Sequence, residues 1–146
     1  MINNDSTYFE ISGNGNFIRI ELSNFNDLST ELGWSENWIK AIVHVKAGGF
    51  SGNFRADLTT WEFLTFKKEL IILYQKLTGS ATFDTLEKQV VIKVSGDGIG
   101  HLKAECILED QAGFGNRLNL EIDFDQTFLP ELIRQLEKIT DKFEVK

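Results

Sequence analysis

Two stretches of this chain place apolar residues in the same order of steps. Phe63, Phe66, Leu70, Leu73 and Leu77 recur three, four, three and four residues apart, and so do Leu129, Leu132, Leu136, Ile139 and Phe143. That spacing draws one apolar stripe along a helix and demands something apolar to cover it. Ahead of each stretch lie runs of strict alternation, the mark of a strand with one buried face. The first half has Tyr8–Ile11, Phe17–Ser23, Trp38–Lys46 and Phe54–Leu58; the second has Ala81–Asp84, Gln89–Val94, His101–Glu109 and Arg117–Phe124.

The punctuation agrees with these elements. Gly48-Gly49-Phe50-Ser51-Gly52 separates two alternating runs and reads as a hairpin turn. Thr59-Thr60-Trp61-Glu62 has capping-box spacing, so a helix is predicted from about Thr60 to Leu77, with Gly79 as its stop. The second helix has Asp125 or Thr127 as its cap and Pro130 in the first turn, where a missing N–H costs nothing. Strands joined by tight turns pair antiparallel, and each helix stripe needs a sheet face. The expected fold is α+β, an antiparallel β-sheet with two amphipathic helices packed on one face.

The shared order of elements suggests two similar halves, about residues 8–78 and 79–146, inside one domain. Ile39-Lys40-Ala41 resembles Leu102-Lys103-Ala104, and Gly52-Asn53 resembles Gly115-Asn116. Two explanations stay open: an internal duplication, or halves that merely share patterning. At 146 residues with 42% hydrophobic content, a core forms without metal or disulfide. The single cysteine, Cys106, cannot pair within the chain and falls in phase with Leu102, Ala104 and Leu108, on a core face. It suits a reducing compartment and an inert thiol.

Function classes can be excluded by what is missing. The longest apolar run, Leu70–Tyr74, is too short to span a bilayer, and Met1–Ser6 lacks the features of a secretion signal, so a cytoplasmic setting is expected. A net charge of −7, from 22 acids against 15 bases, repels phosphate backbones and anionic lipids and argues against nucleic acid or membrane as partner. Ser95-Gly96-Asp97-Gly98-Ile99-Gly100 is glycine-rich but joins two strands, so it reads as a turn and not a phosphate loop. The two histidines, His44 and His101, have no ligand cluster or nucleophile beside them. No catalytic residue, metal site or cofactor is expected, and the chain reads as a non-enzyme.

One arrangement points to a binding surface. If Cys106 faces Leu120 and Ala104 faces Ile122 on paired strands, then Lys103 opposes Asp123 and Glu105 opposes Glu121. Like charges face to face destabilise a sheet, so a chain that keeps them has reason to present carboxylates to a cationic partner. A register two residues away separates the two glutamates and removes the argument. The second candidate is the long polar connection Asn24–Ser35, which carries Trp34.

A further set of residues carries a resemblance. Gly33-Trp34 with Asn37-Trp38-Ile39, Ala47-Gly48-Gly49-Phe50-Ser51-Gly52, Leu73-Tyr74 with Leu77, Gly79-Ser80-Ala81 with Phe83, Leu86-Glu87, Gly96-Asp97-Gly98 with Gly100-His101, and Asp125-Gln126-Thr127-Phe128-Leu129 run through nearly the whole chain. Together they resemble the WapI-type immunity proteins of bacterial polymorphic toxin systems. The resemblance implies a small cytoplasmic protein that binds and neutralises the toxic C-terminal domain of a toxin, often a nuclease. It brings no catalytic residues. On this reading Glu105, Glu121, Asp123 and Trp34 are the candidate contacts to a basic toxin domain; the alternative is a small-molecule-binding or accessory domain.

Overall fold

The computed structural model describes residues 6–25 and 37–145. Four strands, β1 (Thr7–Gly13), β2 (Asn16–Phe25), β3 (Trp38–Ala47) and β4 (Phe50–Thr59), form an antiparallel sheet in sequence order. Helix α1 (Thr60–Lys76) follows without a break. Four more strands, β5 (Thr78–Asp84), β6 (Val90–Asp97), β7 (His101–Glu109) and β8 (Arg117–Asp125), form a second such sheet. A short 3-10 turn, Gln126–Phe128, then leads into α2 (Leu129–Lys142). The α+β class and the recurrence of four strands and a helix are as the sequence predicts, with the strands divided between two sheets.

The alternating residues do what their period requires. Phe9, Ile11, Ile18, Ile20, Ile39, Val43 and Leu58 from the first sheet, and Phe83, Ile92, Val94, Ala104 and Ile122 from the second, are all fully buried in one continuous core. The helices close it through their stripes, with Phe63, Phe66 and Leu70 of α1 and Leu129, Leu132, Leu136 and Ile139 of α2 at no exposure. At the junction four rings meet. Phe9 of β1 lies 6.0, 5.7 and 5.4 Å from Phe63, Phe66 and Phe83, with the Phe63 and Phe83 contacts edge-on. Phe83 of β5 in turn lies 4.9 and 5.5 Å from Phe63 and Phe66. Strands from both sheets and a helix are thus pinned at one point, in the edge-to-face geometry that ring quadrupoles favour.

The two sheets also touch at their edges. β1 runs against β8 so closely that a Cβ on Gly13 would collide with the Asp123 carbonyl. Asn16 spans the seam, its amide donating to the Glu121 carbonyl at 3.3 Å while its Oδ1 accepts the Gly48 N–H at 2.9 Å. The last helix returns to the first strand, with Gln135 Oε1 accepting the Glu10 N–H at 2.9 Å.

Two expectations at the helix ends need correction. Gly79 does not stop α1: Leu77 takes the left-handed position at φ 60°, and Gly79 already lies in β5, opposite Gly96. The cost of a non-glycine residue there is offset by tertiary contacts. The Leu77 N–H donates to Leu73 O at 2.7 Å and its carbonyl accepts the Gly98 N–H at 2.8 Å. At the other end Thr59 is the N-cap, yet its side chain makes no capping bond, and Glu62 reaches sideways to the Leu86 N–H at 3.1 Å. Asp125 is a cap as expected, its carboxylate accepting Thr127 N–H at 2.8 Å.

Candidate partner-binding face

The register of β7 on β8 decides the candidate surface. Cys106 pairs with Leu120 and Ala104 with Ile122, so Lys103 faces Asp123 and Glu105 faces Glu121. This is the first of the two registers open to the sequence. The core fixes which side chains face out. Leu102, Ala104, Cys106 and Leu108 are buried on one side, as are Leu120, Ile122 and Phe124, which forces Lys103, Glu105, Ile107, Asn119, Glu121 and Asp123 outward.

The outward face is less uniform than a plain row of acids. Lys93 on β6 stands opposite Glu105, and Lys103 Nζ lies 3.7 Å from Glu121 Oε2 on the diagonal, with side chains 46% and 61% exposed. Exposed pairs of this kind contribute little to stability, on the order of 0–1 kcal/mol. They do partly shield Glu105 and Glu121 from each other. Beside this charged strip stands an apolar row, Val91 opposite Ile107, with Ile107 41% exposed. The outer face thus carries mixed charges along most of its length and a small apolar row at one end.

At the strip's end the β6–β7 turn is fixed by Asp97. Its Oδ1 accepts the Ile99 N–H at 2.9 Å and the His101 N–H at 3.1 Å, which together with the nearby His101 ring hold the carboxyl below its ordinary range. The glycine-rich segment is therefore a turn, as its context predicts. Asp125, opposite His101, is lowered as well, first by its bonds to Thr127. Both acids stay charged and extend the negative strip.

The remaining predicted residues fall as follows. Trp34 lies outside the described residues. Cys106 is 2% exposed, and burial pushes its thiol up to about 12, which keeps it protonated and unreactive at neutral pH. His44 lies on the outer side of the first sheet, its Nε2 3.3 Å from Glu21 Oε1. Among the described residues, no group of three or more histidine, cysteine or acidic side chains is placed to hold a metal ion, and no helix is long and apolar enough to cross a membrane.

Two residues of consequence carry no clear sequence signal. Gln89, 5% exposed, donates from Nε2 to three carbonyls, those of Arg55, Glu109 and Asp110, and ties the two sheets together across one end. Glu62 is 8% exposed with Oε2 lacking a partner, and burial pushes its carboxyl up to about 7. The Leu86 and Thr59 groups beside it oppose that rise without cancelling it. The capping-box pattern marks Glu62 as a helix-start residue and hides its burial.

Paired antiparallel sheets closed by two helices, with a charged outer strand face, define a small α+β domain. The chain belongs to the WapI-like immunity protein family, whose model matches residues 8–144. Its fold is similar to that of the MRP1/MRP2 proteins of Trypanosoma, at 8% identity, 97% and 88% coverage of the two chains and a TM-score of 0.53. It is also similar to WHY1 from Arabidopsis thaliana, at 13% identity, 99% and 88% coverage and 0.52. The plant transcriptional regulator PBF-2 gives 13% identity, 97% and 84% coverage and 0.51. At these identities the likeness is one of fold alone. No curated protein matches the chain.

Proposed function

We propose that this chain is a cytoplasmic immunity factor that binds the toxic C-terminal domain of a bacterial toxin and neutralises it by occupation, without catalysis. The family match over residues 8–144 carries this reading. The docking face is the outer side of β6–β8, with Glu105, Glu121 and Asp123 directed at a basic surface on the toxin. Glu105 faces Glu121 with Lys93 and Lys103 beside them, and a cationic partner would relieve the like-charge repulsion that these lysines leave. A nuclease fits as target, because a groove that holds phosphates is basic and accepts carboxylates in their place.

The test is the association rate with the toxin domain encoded beside this chain's gene, measured at several salt concentrations. Changing Glu105→Gln, Glu121→Gln and Asp123→Asn together should slow association and flatten its salt dependence, since screening acts on long-range steering. An unchanged rate and salt slope would remove the face from the interface and leave Trp34 and its connection as the next surface to test.

A further inference from the structure

We infer that this protein pairs with a second copy of itself along the outer edge of β4, through the self-complementary stretch Phe50-Ser51-Gly52-Asn53-Phe54. β4 is an edge strand, and among the described residues no strand pairs with its outer side. From Arg55 onward that side is occupied by Gln89, whose Nε2 bonds the Arg55 carbonyl at 3.0 Å. Of the five residues before it, Phe50–Asn53 are exposed and Phe54 is half-buried against the core, and none carries the lysine, proline or bulge that normally guards an edge against pairing.

The stretch reads nearly the same in both directions. Antiparallel pairing of two copies about Gly52 sets Phe50 against the partner's Phe54 twice, Ser51 against the partner's Asn53 twice, and Gly52 on the dyad. Phe50, Gly52 and Phe54 lie on the core-facing side of β4, opposite Ala47, Val45 and Val43. Phe50 is nonetheless 71% exposed, because it stands at the mouth of a groove of about 260 Å³ whose walls are apolar at Val45, Phe54, Leu108 and Leu118 and polar at Asp110, Asn116 and Arg117. A partner strand at this edge lays its own Phe54 beside Phe50 and roofs the mouth. The hairpin that presents the edge is held in place by the Asn16 bond to Gly48 N–H.

Charge also selects this edge. Two copies at −7 repel each other, and Phe50–Phe54 is a stretch of β4 without a formal charge, where the repulsion is least. Aromatic side chains of roughly 150–250 Å² each supply most of the contact, so the buried area falls short of the roughly 1,200 Å² of a lasting complex. The dimer is therefore weak and reversible, and its face is separate from Glu105, Glu121 and Asp123.

Sedimentation of the full chain from micromolar to near-millimolar concentration tests this, with thermal melts as the folding control. The wild type should show a reversible monomer–dimer equilibrium. Ser51→Glu with Asn53→Glu puts like charges opposite each other across the dyad, and so does Ser51→Lys with Asn53→Lys; each should weaken the dimer about tenfold or more. The lysine pair lowers the net charge, so its effect cannot come from general repulsion. Ser51→Glu with Asn53→Lys sets opposite charges face to face and should keep or tighten the dimer. A wild type that stays monomeric at every concentration would overturn the inference, as would like-charge variants that dimerise undiminished.

Discussion

Glu62 is the side chain at which a single atom's change should alter how stability responds to pH. Its carboxyl is 8% exposed at the start of α1, and burial raises it from 4.5 to about 7 in the folded chain. A raised acid pKa means the folded state holds the proton longer than the unfolded state. The stabilisation is fully present below the unfolded pKa, declines as pH rises, and is gone above the folded value. A shift of this size corresponds to about 3 kcal/mol in total, of which about 2 kcal/mol is lost between about pH 5.5 and pH 8. Glu62→Gln cannot ionise and keeps the Oε1 acceptor for Leu86 N–H, while any cost of an unpartnered amide at the Oε2 position is the same at every pH. Urea unfolding of both proteins across this range isolates the group, because every other side chain is common to the two. The variant should gain about 2 kcal/mol relative to wild type on going from about pH 5.5 to pH 8. A wild-type-minus-variant difference that does not change with pH would refute the argument, since it would mean the carboxyl is hydrated after all.

Other consequences can be checked singly. Phe83→Ala empties the centre of the four-ring junction and should cost about 3–5 kcal/mol in denaturant unfolding, with the melting temperature falling accordingly. Gly13→Ala drives a methyl into the Asp123 carbonyl, so it should destabilise by about 1–3 kcal/mol, whereas Gly49→Ala, with nothing near its added carbon, should change stability by no more than about 0.5 kcal/mol. A thiol reagent should label Cys106 only after denaturation; rapid labelling of the native protein would contradict its burial.

The parts legible in the sequence are those governed by short periods. Strict alternation placed Val43, Val45, Ala104 and Cys106 on core faces, and the repeated three-and-four steps placed both helices. Alternation also fixed which faces of β7 and β8 point outward, since an odd shift of Cys106 off Leu120 would have buried Glu105 or Glu121, but a shift of two keeps the same faces, and only the assembled sheet chose between those two registers. What period cannot convey is which residues from distant segments meet. Leu77 in place of Gly79 as the helix end depends on Gly98, more than twenty positions away. Gln89 looks like an ordinary polar residue before a strand until Arg55, Glu109 and Asp110 arrive around it. The candidate face was legible as a row of acids, but Lys93, which stands opposite Glu105 from a third strand, became visible only with the sheet assembled.

The bonds from Gln135 to Glu10 and from Lys142 to Thr7, the latter at 3.3 Å, join the final helix to the opening strand across 125 and 135 residues of sequence. Such closure has a consequence in time. While the chain is being made, β1 emerges first but has no α2 or β8 to lean on until nearly everything else has been translated. At roughly 5–20 residues per second, that delay is on the order of ten seconds, during which β1 lacks the α2 and β8 contacts that complete its surroundings. A cell relying on this protein for protection gains it only when the last helix is complete, so truncation near Leu132 should yield a chain that neither folds nor protects, however intact its acidic strands.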